Sequence, residues 1–328
     1  MPERAATTTM MRIAIAGGGG FANILVRELS ESAHALIVLS TQGNTSQERP
    51  EFDEYDCQVA VVDYDSMEDL RFILQGVDLV ISTICGTPQI NLIDAARRAR
   101  VRCFVPSEFE GALSHRPSDN DPLDRGSSTA LDYLRRWSTS QSHPMKFTVF
   151  SCGIFYERLA PGGLDAYKMG YSSNVQDEGN YLVNLRTGTA EIPEANAQGR
   201  SVHIAMTSVF DVAKFVAAAV NLGLNSWPSE FKMRGAHMTT KHLVEICEEV
   251  RGDEVPFNTI ARPHNELVSW LQHYEDHQDW IRWHHMQQLV QTANGRFNFS
   301  NPNLNELVPF QTVGFRTWLQ EIWGSGVV

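Results

Sequence analysis

The chain has 328 residues, 42% hydrophobic and 20% charged, which is enough apolar material for one large or two modest domains and excludes a largely disordered protein. Asp and Glu outnumber Lys and Arg by 39 to 27, a formal charge of −12, so binding to nucleic acid, which rests on neutralising phosphates, is disfavoured. No apolar run approaches the roughly 18 residues of a membrane span, and the polar residues 1–10 read as a disordered leader without an apolar signal core.

Residues 12–16 (RIAIA) form a short strand that stops at four glycines, and residues 21–30 continue as a helix with Ile24, Leu25 and Leu29 on one stripe. Residues 35–39 and 58–62 are again β-rich. Residues 66–74 read as a helix opened by a Ser/Asp-type cap, residues 77–82 as a fourth strand, 89–100 as a helix and 102–105 as a fifth strand. The strands are apolar on both faces and alternate with helices, which is the pattern of a parallel sheet covered on both sides. Residues 111–126 are rich in Gly, Pro, Ser and Asp and read as a long surface loop. A helix over 129–138 and a sixth strand over 146–151 follow. Beyond Gly153 the alternation ends: 201–205 reads as a strand, 208–222 and 239–250 as helices, 265–291 as a long aromatic, His-rich stretch, and 312–323 as a last amphipathic helix.

Five cysteines, odd in number and without a Cys-x-x-Cys pair, fit a reduced, cytoplasmic chain better than a disulfide scaffold. A catalytic thiol is the sharper reading of one of them; small buried hydrophobes are the plainer one. Only five lysines occur, and none precedes Lys146.

The glycine loop carries the first chemical signal. Glycine permits a tight turn and lets backbone N–H groups approach a pyrophosphate, while the next helix N-terminus adds partial positive charge. A bare sharp turn is the competing reading, but this one follows a strand, precedes a helix and opens a series of βα units, so Gly17, Gly19 and Gly20 are read as a dinucleotide loop. The third glycine of that spacing is replaced by Asn23. Segment 37–44 (IVLSTQGN) lacks the acid that NAD binding uses on the ribose hydroxyls; the first acid is Glu48. Ser40, Thr41, Gln42 and Asn44 offer neutral donors, and Arg49 lies close behind. The expected cofactor is therefore NADP(H).

Several stretches together resemble one group. They are the glycines at 17–20, VDYD at 62–65, GVDLVIST at 76–83, PSEF at 106–109, CGIF at 152–155 and SVFDVA at 208–213, in order over most of residues 11–325. The chain resembles atypical short-chain dehydrogenases of the NmrA-like family, on the isoflavone reductase-like branch; PSEF is the most specific match. The resemblance implies NADPH-dependent reductases of aromatic or polyketide-like molecules, and also redox-sensing regulators that bind the dinucleotide without turnover. By position it implies that Gly17, Gly20 and Phe21 hold the pyrophosphate, Ser40 and Thr41 meet the adenosine phosphate, and Asp63 lies near the adenine. It puts Thr83, Pro106, Ser107 and Phe109 at strand carboxyl ends, and Gly153, Ile154 and Phe155 on the nicotinamide and substrate side. Reductases of this branch carry a proton-donating lysine at the start of the next helix. Here that position is Ser127 or Leu131, depending on alignment, and no lysine is near.

Hydride transfer does not need that lysine, but protonating a product usually needs a positioned acid. Tyr133 is one candidate, with an ordinary half-buried helix tyrosine as the plainer reading. Ser107 and Glu108 are others, Glu108 being equally readable as a carboxylate fixing its loop. His115, Arg125 and Lys168 are weaker options. His273 and His277 share a helix face, but no third ligand has metal-site spacing and no metal is expected. Five of the seven tryptophans fall after residue 269. Trp318 and Trp323 suit the core, whereas Trp280 and Trp283, with Phe155 and Tyr156, are read as substrate-binding walls.

The resulting expectation is an α/β chain: a Rossmann-type doubly wound parallel sheet over 11–155, with 201–236 returning to it, and a smaller α+β substrate lobe of 156–200 and 237–328. It is read as an NADP(H)-dependent oxidoreductase of a sizeable aromatic or heterocyclic small molecule in natural-product biosynthesis, acting at C=N, C=O or activated C=C, with coupled cyclisation as a variant. The partner is the small-molecule substrate, with no nucleic acid and no membrane, and the chain is read as a monomer or homodimer. A dinucleotide-binding sensor without turnover, or a cofactor-retaining isomerase or cyclase, are the alternatives.

Overall fold

The computed structural model describes residues 10–41, 52, 54–117, 120–171, 176–252, 256–308 and 310–324, and they divide into two compact units. Gln42 and residues 1–9 of the expected leader lie outside them.

The first unit comprises Met1–Glu108, Arg125–Phe150 and Ala213–Phe231. The apolar run at its start is β1 (Arg12–Ala16), and α1 (Gly20–Ser30) buries Phe21, Ile24, Leu25 and Leu29 as their spacing requires. Then come β2 (Ala35–Ser40), β3 (Cys57–Val61), α2 (Met67–Ile73), β4 (Leu79–Ser82), α3 (Thr87–Arg98), β5 (Cys103–Val105), α4 (Ser127–Ser138) and β6 (Lys146–Phe147). The sheet order is β3-β2-β1-β4-β5-β6, and every pair is parallel. The order reverses between β1 and β4, which opens a crevice beyond their carboxyl ends. β2, β4 and β5 are buried on both faces apart from the first residue of β2, as helix-covered parallel strands must be. This is the expected Rossmann-type α/β sheet.

Local chemistry sets the boundaries. The Ser66 hydroxyl accepts from Asp69 N–H and caps α2. The Arg97 guanidinium lies 3.7 Å over the Trp137 ring and ties α3 to α4. The sixth strand, expected to run unbroken over 146–151, splits at Thr148. Thr148 N–H still donates to Phe104 O at 3.1 Å, but Val149 N–H donates to Ser229 O at 3.0 Å, so the chain leaves the main ladder there as β7 (Val149–Ser151).

The second unit comprises Phe109–Asp124, Ser151–Val212 and Lys232–Val328. Its elements are β8 (Ile154–Phe155), β9 (Val183–Asn184), β10 (Thr189–Ala195), β11 (His203–Thr207), α5 (Val209–Leu222, whose later turns belong to the first unit), β12 (Glu230–Lys232, of which only Lys232 belongs to this unit), β13 (Ala236–Thr239), α6 (Thr240–Arg251), β14 (Asn258–Pro263), α7 (His264–Asp276), α8 (Trp280–Ala293), α9 (Asn303–Leu307) and α10 (Phe315–Trp323). They form ladders β14-β10-β9 and β13-β11-β8, while β7 pairs with β12. The core gathers Tyr156, Ile204, Leu243, Leu289, Trp318 and Leu319.

Several boundaries differ from the sequence reading. The loop Phe109–Asp124 and the stretches 151–155, 201–212 and 232–236, expected in the Rossmann unit, group with the second unit. The His-rich stretch is two helices, because Gln278 takes a left-handed φ of +54° and the Asp279 carboxylate caps α8 by accepting from Arg282 N–H. Among the described residues no helix is long and apolar enough to cross a membrane.

Candidate functional site

In the first unit the site starts where β1 ends. Gly17 N–H donates to Leu39 O at 2.9 Å, and Thr83 Oγ1 donates to Ala16 O at 2.8 Å. These bonds draw the ends of β1, β2 and β4 together. Gly17 has φ +109°, and a Cβ there would sit 2.3 Å from Thr83 Oγ1, so both conformation and space demand glycine. Gly19 is the N-cap of α1 and brings no capping side chain, and the first turn of α1 holds no acid. The positive end of the helix therefore faces the crevice without a competing carboxylate.

Ser40 is buried at the end of β2, and Thr41 follows it exposed. Tyr64, buried beside them, donates its hydroxyl to Leu39 O at 2.9 Å, and burial pushes its phenol pKa up. Asp63 is exposed, and its Oδ1 accepts from Asp65 N–H at 2.9 Å, so part of its capacity holds the turn into α2. After β5, Pro106 is buried and Ser107 half-buried. Ser107 N–H donates to Oε1 of the buried Gln89 at 2.7 Å. Sequence reasoning missed Gln89; its signal was a polar residue in the first turn of a helix opened by Thr-Pro. Glu108 is buried.

The helix starts at this edge rest on two glycines. Gly86 and Gly126, N-caps of α3 and α4, have φ +70° and +89°, and a Cβ on Gly126 would lie 3.1 Å from Gly86 Cα. At the start of α4, Ser127 is half-buried and Leu131 is buried, so neither alignment of the missing lysine puts a charge there. Tyr133 is 37% exposed, off the stripe of Ala130, Leu131 and Leu134 that α4 buries.

The second unit holds the remaining candidates. Cys152 and Gly153 N–H groups both donate to Glu110 O, at 2.9 and 3.1 Å, and Thr207 Oγ1 donates to Cys152 O at 2.6 Å. A Cβ on Gly153 would meet Ala205 O at 2.0 Å, so this turn too requires glycine. Phe109 and Phe155 are half-buried. Tyr156 has no exposed surface: its hydroxyl donates to Val313 O at 3.3 Å, and its ring centroid lies 5.2 Å from Phe315 and 5.4 Å from Trp318. That is a core position rather than a ligand wall. Trp280 is 57% exposed on the first turn of α8, with its ring 5.9 Å from Trp283. Trp283 is half-buried, and its Nε1–H is buried without a hydrogen-bond acceptor.

Two buried polar clusters shape the same unit. The buried Arg296 donates to Asp121 Oδ2 at 2.6 Å and Glu110 Oε1 at 2.8 Å, pinning both arms of the loop after PSEF. Burial alone lowers an arginine pKa; the two carboxylates reverse that and hold Arg296 above its ordinary value. Glu157 is fully buried and accepts from Ser208 Oγ (2.7 Å) and Val209 N–H (2.9 Å) at the start of α5. Burial dominates and lifts its pKa to about 7, against the two hydrogen bonds, with Asp211 adding to the rise. Burial likewise lifts the Cys103 thiol to about 12 and raises Cys152 and Cys247, so these are small hydrophobes rather than nucleophiles. Among the described residues no group of three or more His, Cys, Asp or Glu side chains is placed to hold a metal ion.

Comparison with known proteins agrees with this geometry. The model of the NmrA-like family matches residues 9–295. The oxidoreductase swnR of Arthroderma benhamiae is 20% identical over 258 residues, covering 76% of this chain and 77% of that protein. The isoflavone reductase homolog A622 of Nicotiana tabacum is 34% identical over 114 residues, 32% of this chain, so the match spans 37% of that relative's length. Among solved structures, the binary complex of leucoanthocyanidin reductase with NADPH from Vitis vinifera superposes with a TM-score of 0.66 at 14% identity, covering 96% of this chain and 100% of the other.

Proposed function

We propose that this chain, which belongs to the NmrA-like family, works as an NADPH-dependent oxidoreductase on a sizeable aromatic or heterocyclic small molecule of secondary metabolism. The observation that carries the reading is the turn at Gly17, closed against Thr83 and followed by the acid-free N-terminus of α1. It fits a pyrophosphate, and the acid-free end of β2 at Ser40 and Thr41 fits a phosphorylated ribose better than a free one. The relatives support it: swnR is named an oxidoreductase, and the leucoanthocyanidin reductase complex holds NADPH.

In this reading Gly17, Gly19, Gly20 and Phe21 hold the pyrophosphate, with Ser40, Thr41 and Gln42 at the adenosine phosphate and Asp63 beside the adenine. Thr83, Pro106 and Ser107 border the crevice beyond β4 and β5, with the Ser107 backbone oriented by Gln89. NADPH, when bound, supplies a hydride. The substrate is an iminium or a comparably activated carbon: hydride adds to the carbon, the C=N π pair moves to nitrogen, and a neutral amine results without a proton donor. That suits a helix start of Ser127, Ser128 and Thr129 where the family's reductases carry lysine. Phe155, Trp280 and Trp283 are the aromatic side chains assigned to substrate, the orphaned Trp283 N–H awaiting an acceptor oxygen or nitrogen.

The same missing lysine favours a second reading, a dinucleotide-binding sensor without turnover. Following NADPH absorbance against cyclic iminium ions, enones and ketones separates the two. The oxidoreductase reading expects consumption with an iminium and slower or no reaction with a ketone. Tight NADPH binding with no consumption across the panel would overturn it in favour of the sensor.

A further inference from the structure

A cleft of about 470 Å³ opens in the second unit, lined by residues of that unit alone, among them His115, Asn196, Arg200, His203, Asn294 and Asn298. The oxidoreductase reading makes no use of it. Among the described residues no carboxylate lines it, in a chain with 39 acidic residues.

Its hydrogen-bonding groups divide into a donor set and an acceptor set. Asn196 Oδ1 accepts from the backbone N–H groups of Gln198 and Arg200, both at 3.0 Å. Asn294 Oδ1 accepts from His264 Nε2, and Asn298 Oδ1 from His237 Nε2, each at 2.9 Å. An amide whose oxygen is engaged has its NH₂ group left to offer. Three amide NH₂ groups thus join the Arg200 guanidinium as donors. The imidazoles are held in the opposite sense. His115 Nδ1 lies 3.0 Å from Gly295 O, and His203 Nδ1 lies 3.1 Å from Ser201 O. A carbonyl can only accept, so each neutral ring carries its proton on Nδ1 and keeps Nε2 as an acceptor.

We propose that this cleft is a second small-molecule site, selective for a hydroxycarboxylate. The carboxylate meets the Arg200 fork and the amide NH₂ donors, a match of planar donor to planar acceptor. The hydroxyl donates to an imidazole Nε2. Neither a simple anion nor a polyol uses both halves of this lining.

The test is isothermal titration of the full chain with L-malate, succinate and inorganic phosphate. L-malate should bind saturably. Succinate, which lacks the hydroxyl, should bind about tenfold more weakly, and phosphate more weakly than malate. Arg200→Gln, on an exposed turn, should weaken malate binding by about tenfold or more while leaving NADPH binding unchanged. His115→Phe should narrow the difference between malate and succinate. Absence of saturable malate binding, equal binding of malate and phosphate, or unaltered malate affinity in Arg200→Gln would each overturn the proposal. NADPH binding, measured in the same samples, reports separately on the oxidoreductase reading.

Discussion

At the carboxyl edge of the parallel sheet the groups proposed above to meet the dinucleotide are main-chain atoms. Gly17 has no room for a side chain, Gly19 caps α1 without one, and the first turn of α1 holds no acid. In the second unit the chain is held instead by buried titratable side chains: Arg296 ion-paired with Asp121 and Glu110, and Glu157 hydrogen-bonded by Ser208 and Val209. Backbone devices depend on φ and close approach, so they are sensitive to any added atom yet cost little stability. Buried ions are different, since each was desolvated to be placed and each is costly to orphan.

The contrast can be broken from either side. The largest loss of stability should come from Arg296→Met, which takes the guanidinium from Asp121 and leaves Glu110 to its pairing with Arg116. A drop of about 3–5 kcal/mol is expected in denaturant titration, with Arg296→Lys recovering part of it; a fully stable Met variant would mean the ions are dispensable. Gly20→Asp should behave in the opposite way. It puts a carboxylate at the helix start and should weaken NADPH binding by roughly a hundredfold or more, about 3 kcal/mol, while the melting temperature barely moves. Unchanged binding would remove that loop from the cofactor site.

Glu157 gives a pH signature. Its folded pKa of about 7 lies above the ordinary value of 4.5, so the native state prefers the protonated carboxyl. The stabilisation is complete below the ordinary value and is lost as pH rises to about 7, amounting to roughly 3 kcal/mol at most. Glu157→Gln should flatten stability across that window; an unchanged slope would assign it to other groups. The smallest effect belongs to Tyr133→Phe. On the exposed flank of α4 it should change turnover by less than about twofold, whereas the loss of a general acid would cost about a hundredfold.

Legibility followed the same divide. The first unit could be read because its strands are apolar on both faces and its helices keep one stripe, as in β4 and in α1 with Leu25 and Leu29. The second unit is built from strands as short as Ile154–Phe155, and β10 and β14 carry Thr, Glu, Pro, Asn and Arg among their apolar residues, so a period of two could not be seen. Tyr156 shows the same limit. Its place after a Gly-Ile-Phe turn suggested a ligand wall, and nothing local reveals that Phe315 and Trp318 enclose it.

By itself the amino-acid sequence determined the βα alternation, the glycine turn, the acid-free end of β2 and the missing lysine, because each is a matter of residue type within one or two turns of chain. Tertiary structure alone decided what those residues touch. Thr83 reaches Ala16 across 67 positions and makes Gly17 obligatory, Gln89 takes the Ser107 N–H across 18, and Arg296 finds Glu110 across 186. Hydrogen bonds and ion pairs of such separation leave no periodic trace, since their partners are brought together by burial of the core around them.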